Sequence, residues 1–193
     1  MTHPKPKKCR AKDCNNEFPA FNSLRKACSP GCALRLVEEQ KEKENRKAAN
    51  KARKALRELD RSYWLKAAQR EFNKWVRLRD KDLPCISCGK PAHEEHNGIT
   101  GSAWDCGHYR STGACPELRF EPLNAHRQCV KCNRNLSGNV VEYRIRLLDR
   151  IGAEKLEWLE GPHEAKKYTI EDLRQIRDKY RGLINHIAKG ARQ

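Results

Sequence analysis

Apolar positions in this chain recur at helical spacing in some stretches and lose all period in others. From Ser62 to about Asp80, Trp64, Ala68, Phe72 and Trp75 follow one another at three- and four-residue steps, with Leu65 and Val76 beside them. That spacing predicts a helix capped by Ser62 whose aromatic stripe faces a core, a DNA-stacking surface being the alternative. Further on, Ser137-Gly138-Asn139 opens a second helix carrying Val140, Tyr143, Leu147 and Ile151, which Gly152 stops. A short helix near Glu154–Leu159 ends at Gly161-Pro162. The last helix starts at Thr169, with Asp172 three residues on in a near capping box, and carries Leu173, Ile176, Tyr180, Leu183 and Ile187.

Two stretches break this pattern. Residues 83–136 are irregular, with Gly, Pro and short extended runs. From Ala33 to about Asp60 there is no Gly or Pro, and the sequence is dense in Glu, Lys, Arg and Ala. Its apolar stripe is too thin for a coiled coil, so it reads as a long solvated helix or basic arm. The expected organisation is a cysteine module at 1–32, a basic helical arm at 33–61 and a folded domain at 62–193. The fold class is α+β, mostly helical.

Charge adds a partner to that picture. The 193 residues carry a net +16, and residues 1–84 hold 23 Lys and Arg against 11 Asp and Glu, a net of +12. Such a one-sided surplus is the footprint of a polyanion, with nucleic acid ahead of an anionic membrane because no amphipathic membrane helix accompanies it. No run of 18 apolar residues is present, so no membrane-spanning segment is expected. The basic start, Met1 to Lys8, lacks the apolar core of a secretory signal, and a cytoplasmic location follows.

Ten cysteines then supply candidate chemistry. In a reducing compartment paired cysteines read as metal ligands before disulfides. Cys85-x2-Cys88 and Cys129-x2-Cys132 are two knuckles that together offer four thiolates to a structural Zn²⁺. Cys9-x4-Cys14 and Cys28-x3-Cys32 fit a second structural zinc; the alternative is unligated thiols there, and disulfides or free thiols at the two knuckles. Cys106 and Cys115 have no partner at ligand spacing and read as small buried hydrophobes.

Between the knuckles lie Trp104-Asp105-Cys106-Gly107-His108-Tyr109-Arg110 and Leu123-Asn124-Ala125-His126, and Asn133 follows the last knuckle cysteine. Phosphodiester hydrolysis needs a base, a hard cation and a basic cradle. His108 offers a neutral imidazole near pH 7. Asp105 and Asn133 offer oxygens of the kind Mg²⁺ or Mn²⁺ takes. Arg110 and Arg134, with Arg127 and Lys131, are candidate DNA contacts. His126 is an alternative ligand or substrate contact, whereas His93 and His96 lie in an acidic loop and read as solvated.

Knuckles bracketing a strand-turn-strand with a histidine, then an Asn and a helix, resemble the HNH (ββα-metal) nucleases. More narrowly, Leu83-Pro-Cys-Ile-Ser-Cys-Gly89, Gly107-His-Tyr-Arg-Ser111, Pro116-Glu-Leu-Arg-Phe120, Gln128-Cys129, Glu157-Trp-Leu-Glu-Gly-Pro-His163 and Lys167-Tyr-Thr-Ile-Glu-Asp-Leu173 resemble the NinG (Rap) recombination endonucleases of lambdoid phages. The resemblance covers essentially the whole chain. It implies a zinc-clamped ββα-metal core and a homodimer that cleaves D-loops and Holliday junctions with a divalent cation in the bacterial host's cytoplasm, beside phage or host recombination proteins. It places His108 as general base, Asn124 as the residue ordering its loop and Asn133 as a cation ligand. Where many HNH enzymes carry a ligand immediately before the histidine this chain has Gly107, and Asp105 is the substitute, turned towards the cation by the strand or a bulge. A non-cleaving branched-DNA-binding accessory on the same scaffold, or an RNA-binding zinc protein, are the other readings.

Overall fold

A computed structural model describes residues 6–19, 22, 24–92 and 103–190; His93 and His96 lie outside the described residues. It is mostly helical α+β, with two small sheets. The chain divides into two compact units, Met1–Glu58 and Leu59–Gln193.

In the first unit, β1 (Pro6–Lys8) and β2 (Glu17–Pro19) pair antiparallel with Lys7 opposite Phe18. They lead into and out of the first cysteine pair. Helix α1 (Pro30–Leu59) opens with proline in its first turn, where a missing N–H costs nothing, and Ser29 Oγ accepts the Cys32 N–H at 3.2 Å. The second cysteine pair, Cys28 and Cys32, therefore sits at the start of this helix. Beyond Cys32 no α1 residue is fully buried. The unit's apolar core is Ala11, Phe18 and Ala27 with the cysteines, and Leu36 packs against it.

In the second unit, α2 (Arg61–Arg79) begins at Asp60, whose carboxylate accepts the Ser62 N–H at 2.8 Å. The cap is thus Asp60 and not Ser62, which sits in the first turn. The aromatic stripe faces inward as its spacing requires: Trp64, Ala68, Phe72 and Val76 are buried. They pack on α5 (Ile170–Gly190), with the Phe72 and Tyr180 rings edge to face at 4.9 Å. Helix α5 starts with a reciprocal cap, Thr169 N–H to Asp172 at 2.8 Å and Asp172 N–H to Thr169 Oγ1 at 3.1 Å.

Between these helices and the rest lies a two-stranded hairpin, β3 (Trp104–His108) antiparallel to β4 (Ala125–Cys129). The register is unbroken from Trp104↔Cys129 to His108↔Ala125, with no bulge. Alternation puts Cys106 and Ala125 into the α2–α5 core and Gly107 and His126 on the other side. There Tyr143 of α3 (Val140–Ile151) donates its hydroxyl to the Gly107 carbonyl at 3.2 Å. Tyr143 and Leu147 form a second core with Ile86 and with Leu156 and Leu159 of α4 (Ala153–Glu160). After β4 the chain makes one wide, π-type turn, Lys131–Asn135. Ser137, Gly138 and Asn139 all have positive φ (49°, 90° and 44°), and this sharp reversal starts α3.

One buried carboxylate ties the hairpin to α2. Asp80, 2% exposed, accepts from Arg79 Nε at 2.6 Å and from the backbone N–H of Arg127 at 3.0 Å. Burial alone would raise its carboxyl, but the Arg79 guanidinium and the Arg127 amide outweigh that and hold it below the ordinary range.

Candidate active site and metal centres

Two four-cysteine clusters stand out among the described residues. The Sγ atoms of Cys9, Cys14, Cys28 and Cys32, and those of Cys85, Cys88, Cys129 and Cys132, each lie within 4.8 Å of one another. Sγ separations are 3.6 Å for Cys14–Cys28 and Cys28–Cys32, and 3.8 Å for Cys88–Cys129. A disulfide needs about 2.05 Å, whereas sulfurs about 2.3 Å from a tetrahedral zinc sit about 3.8 Å apart. All ten thiols are free, so both sets fit a structural metal such as zinc. In the first set the Ser29 hydroxyl and the Arg35 guanidinium, 2.9 Å away, hold the Cys32 thiol down to about 6, towards the thiolate a metal takes. In the second, Cys85 is fully buried and accepts the Cys129 N–H at 3.3 Å, so the two knuckles are also joined through backbone.

His108 ends β3, and the loop it enters is held by one side chain. Asn124, fully buried, accepts the Arg110 N–H at 2.7 Å and donates to the carbonyls of Arg110 at 3.0 Å and Leu118 at 3.1 Å. Its own carbonyl accepts the Tyr109 N–H at 2.8 Å. The imidazole Nε2 of His108 is 3.0 Å from the Arg119 carbonyl. A carbonyl only accepts, so Nε2 carries the hydrogen and Nδ1 keeps its lone pair when the ring is neutral. Burial pushes the His108 pKa below 6.5, more than the Arg119 contact raises it, and near pH 7 the ring is neutral.

Asp105 and Asn133 meet at 3.0 Å, and Arg134 closes a two-point ion pair on the same carboxylate at 2.7 and 2.8 Å. Burial would raise the Asp105 carboxyl, but the Arg134 and Asn133 donors hold it below its ordinary value. A carboxylate and an amide fit a hard cation. With no bulge in β3, Asp105 and His108, three residues apart, face opposite sides of the hairpin. The site residues thus fall into two groups, Asp105–Asn133–Arg134 and His108–Asn124.

The proposed DNA contacts separate as well. Lys131, inside the second knuckle, and Arg134, just after it, are exposed on the Lys131–Asn135 turn. Arg110 is half-buried, with Nε 3.3 Å from Cys115 Sγ. Arg127 is placed elsewhere: it is 7% exposed, stacks on Trp104 at 3.8 Å and gives its guanidinium to the carbonyls of Lys81, Leu83 and Ala92. Those donors are spent, so Arg127 is a fastening and not a phosphate contact. His126 is 4% exposed with Nδ1 3.1 Å from the Tyr143 hydroxyl, whose hydrogen goes to Gly107; it too is a packing residue. Burial pushes the Cys106 thiol up to about 12, and Cys106 and Cys115 are both buried.

Gly107 also has a local reason. A Cβ there would meet Gln128 Oε1 at 2.1 Å, because the fully buried Gln128 side chain crosses the strand to donate to Ser87 Oγ at 2.6 Å. The position next to His108 is filled from across the sheet. Sequence reasoning assigned no role to Gln128, Arg119 or Asp80, although Gln128 and Arg119 stand within the quoted motifs. Asp80 left a physical signal of its own: an acid at a helix C-terminus opposes the helix dipole and needs a local cation.

The fold and clusters define a class, a small α+β protein fastened at two four-cysteine centres and carrying a His-Asn hairpin beside one of them. The particular family follows from comparison. The family model described as "Bacteriophage Lambda NinG protein" matches residues 1–190, and the chain belongs to that family. It is 39% identical to protein ninG of Escherichia phage lambda over 97% of this chain and 96% of that one. Protein ninG of Escherichia phage 933W is 40% identical over 95% of each chain. That of Salmonella phage P22 is 38% identical, over 94% of this chain and 93% of its own. No solved structure matches. No helix among the described residues is long and apolar enough to cross a membrane.

Proposed function

We propose that this protein is an HNH-type endodeoxyribonuclease that hydrolyses strands of branched DNA, D-loops and Holliday junctions in particular. The observation that carries the reading is His108: a neutral imidazole whose Nε2–H is fixed on the Arg119 carbonyl and whose Nδ1 is left to accept a proton. Asn124 holds both ends of the loop around it, so the ring is preorganised. In this reading Nδ1 takes the proton of the attacking water. Asp105 and Asn133 would hold the Mg²⁺ or Mn²⁺, which when bound supplies charge to the phosphate and leaving oxygen. Arg110, Arg134 and Lys131 contact phosphates, and the two thiolate clusters hold structural zinc. The protein acts as a homodimer in the host cytoplasm, alongside phage or host recombination proteins.

The test is strand cleavage of a labelled four-way junction by zinc-loaded protein with Mg²⁺ or Mn²⁺, against His108→Ala. Cutting by the wild type, lowered about 10²- to 10⁴-fold in the variant, supports the assignment. Equal cutting removes His108 from the role. A second reading is favoured by one observation: Asp105 is already saturated by Arg134 and Asn133 and faces away from His108. Junction binding with no cut at any metal concentration would make the protein a non-cleaving recombination accessory.

A further inference from the structure

Helix α2 uses one face for the core and leaves the opposite face cationic. Lys66, Arg70, Asn73 and Arg77 follow at steps of four, three and four residues. At 100° per residue they fall within about 60° of one another, on the side away from Trp64, Ala68 and Phe72. With Gln69 they line a shallow groove of about 350 Å³.

The arginines of this helix are sorted by what they do. Arg61 donates to the Tyr168 carbonyl at 2.7 Å, and Arg79 is bound to Asp80 and to the carbonyls of Pro122 and Ala125. Those two are fastenings. Lys66 and Lys74 are exposed, and the Arg70 side chain is 75% exposed and paired at 3.5 Å with its sequence neighbour Glu71, the single acid in the helix. Such a pair contributes little and competes weakly with a phosphate.

The groove also runs past both halves of the candidate site. Gln69 donates to Asn73 at 2.7 Å and accepts from Arg119 at 3.1 Å, and the Arg119 carbonyl holds His108. The Arg77 charge adds, after Arg134 and Asn133, to what keeps the Asp105 carboxylate ionised. From Lys66 to Arg77 the helix rises about 16 Å at about 1.5 Å per residue, the length of roughly five nucleotides at about 3.4 Å each.

We infer that the solvent face of α2 is a phosphate track, with Lys66, Arg70 and Arg77 seating one DNA strand and leading it to the hairpin. The inference rests on the DNA-cleaving reading and names where its substrate lies. The partner is the DNA backbone, because point cations at helical spacing read charge and not sequence.

The test uses the zinc-loaded full chain and a fluorescent four-way junction, with affinity measured across salt. Lys66→Gln/Arg70→Gln/Arg77→Gln should bind at least about tenfold more weakly and lower the salt slope by about 2 to 3, at about 0.9 per phosphate contact. A control that removes exposed cations elsewhere, Lys155→Gln/Arg181→Gln/Lys189→Gln, should stay within about twofold of wild type at such non-contacting positions. Zinc content and circular dichroism report folding, and Arg70→Glu alone, at a side chain in open solvent, repeats the test should the triple variant misfold. Unchanged affinity and slope in both variants overturns the track, as does an RNA duplex that outcompetes the junction. The two readings fail separately. Wild type that binds through α2 without cutting sinks the nuclease and keeps the track, and wild type that cuts while the α2 variants match it does the reverse. Absence of any junction binding by the wild type sinks both.

Discussion

The two four-cysteine clusters look alike in sulfur geometry and differ in what surrounds them. The N-terminal set closes over 24 residues, Cys9 to Cys32, and among the described residues its core adds Ala11, Phe18 and Ala27, with Leu36 packed against it. The second set brings together knuckles separated by 40 residues and sits in a unit with two larger apolar cores and a buried ion pair. The lesson is that the same ligand set does two jobs. In the first unit a bound metal would supply most of what holds the cysteine module together. In the second it would fix one corner of a domain that has its own core, and that corner carries the hairpin.

Removing one thiolate from each set should give the largest and most unequal effects. Cys14→Ser is expected to lower bound zinc from two to one per chain and open residues 6–32 to protease, leaving the melting of Leu59–Gln193 unchanged. Cys129→Ser should likewise lose one zinc and lower that unit's melting temperature by more than about 10 °C, yet retain helical circular dichroism from α2 and α5. If both variants unfold the whole chain, the contrast between the clusters is wrong.

The metal-independent fastenings of the second unit come next. Asp80→Ala leaves the half-buried Arg79 and Arg150 guanidiniums without their carboxylate and should cost about 3 kcal/mol in denaturant unfolding. Gly107→Ala forces Gln128 out of its place and should cost about 1–3 kcal/mol.

Acid should act on the same unit. His126 is held down to about 3 by burial first and by Arg79 second. The unfolded chain therefore binds a proton below about 6.5 that the folded one refuses, and stability is lost as pH falls below that value. One pH unit lower the loss is about 1.4 kcal/mol, and His126→Asn should remove that share of the slope measured by thermal unfolding between pH 7.5 and 5.5. The smallest effect is the α5 cap: Thr169→Ala should cost about 1 kcal/mol.

Features of local origin were legible in the sequence. The Cys spacings, the Trp64–Val76 stripe, the Thr169–Asp172 cap and the helix opened by Ser137–Asn139 each depend on residues a few positions apart, and each is present. What the sequence hid was contact between distant segments. Arg127 reads as a basic residue beside a knuckle, and only its stacking on Trp104 and its carbonyl partners at 81–92 show it to be buried. The sides taken by Asp105 and His108 depend on an unbroken register with β4, which composition does not encode. Gly107 looked like a departure from a pattern until Gln128 was seen to occupy its side of the strand.

The proposal that His108 acts as base while Asp105 helps hold the cation is tested most directly by single-turnover junction cleavage against Mg²⁺ concentration. Asp105→Ala should raise the Mg²⁺ needed for half-maximal rate, and His108→Ala should lower the rate at saturating Mg²⁺ by about 10²- to 10⁴-fold without moving that midpoint. A His108→Ala protein that cuts as fast as wild type, or a wild type that cuts nothing at any Mg²⁺ concentration, would contradict the account.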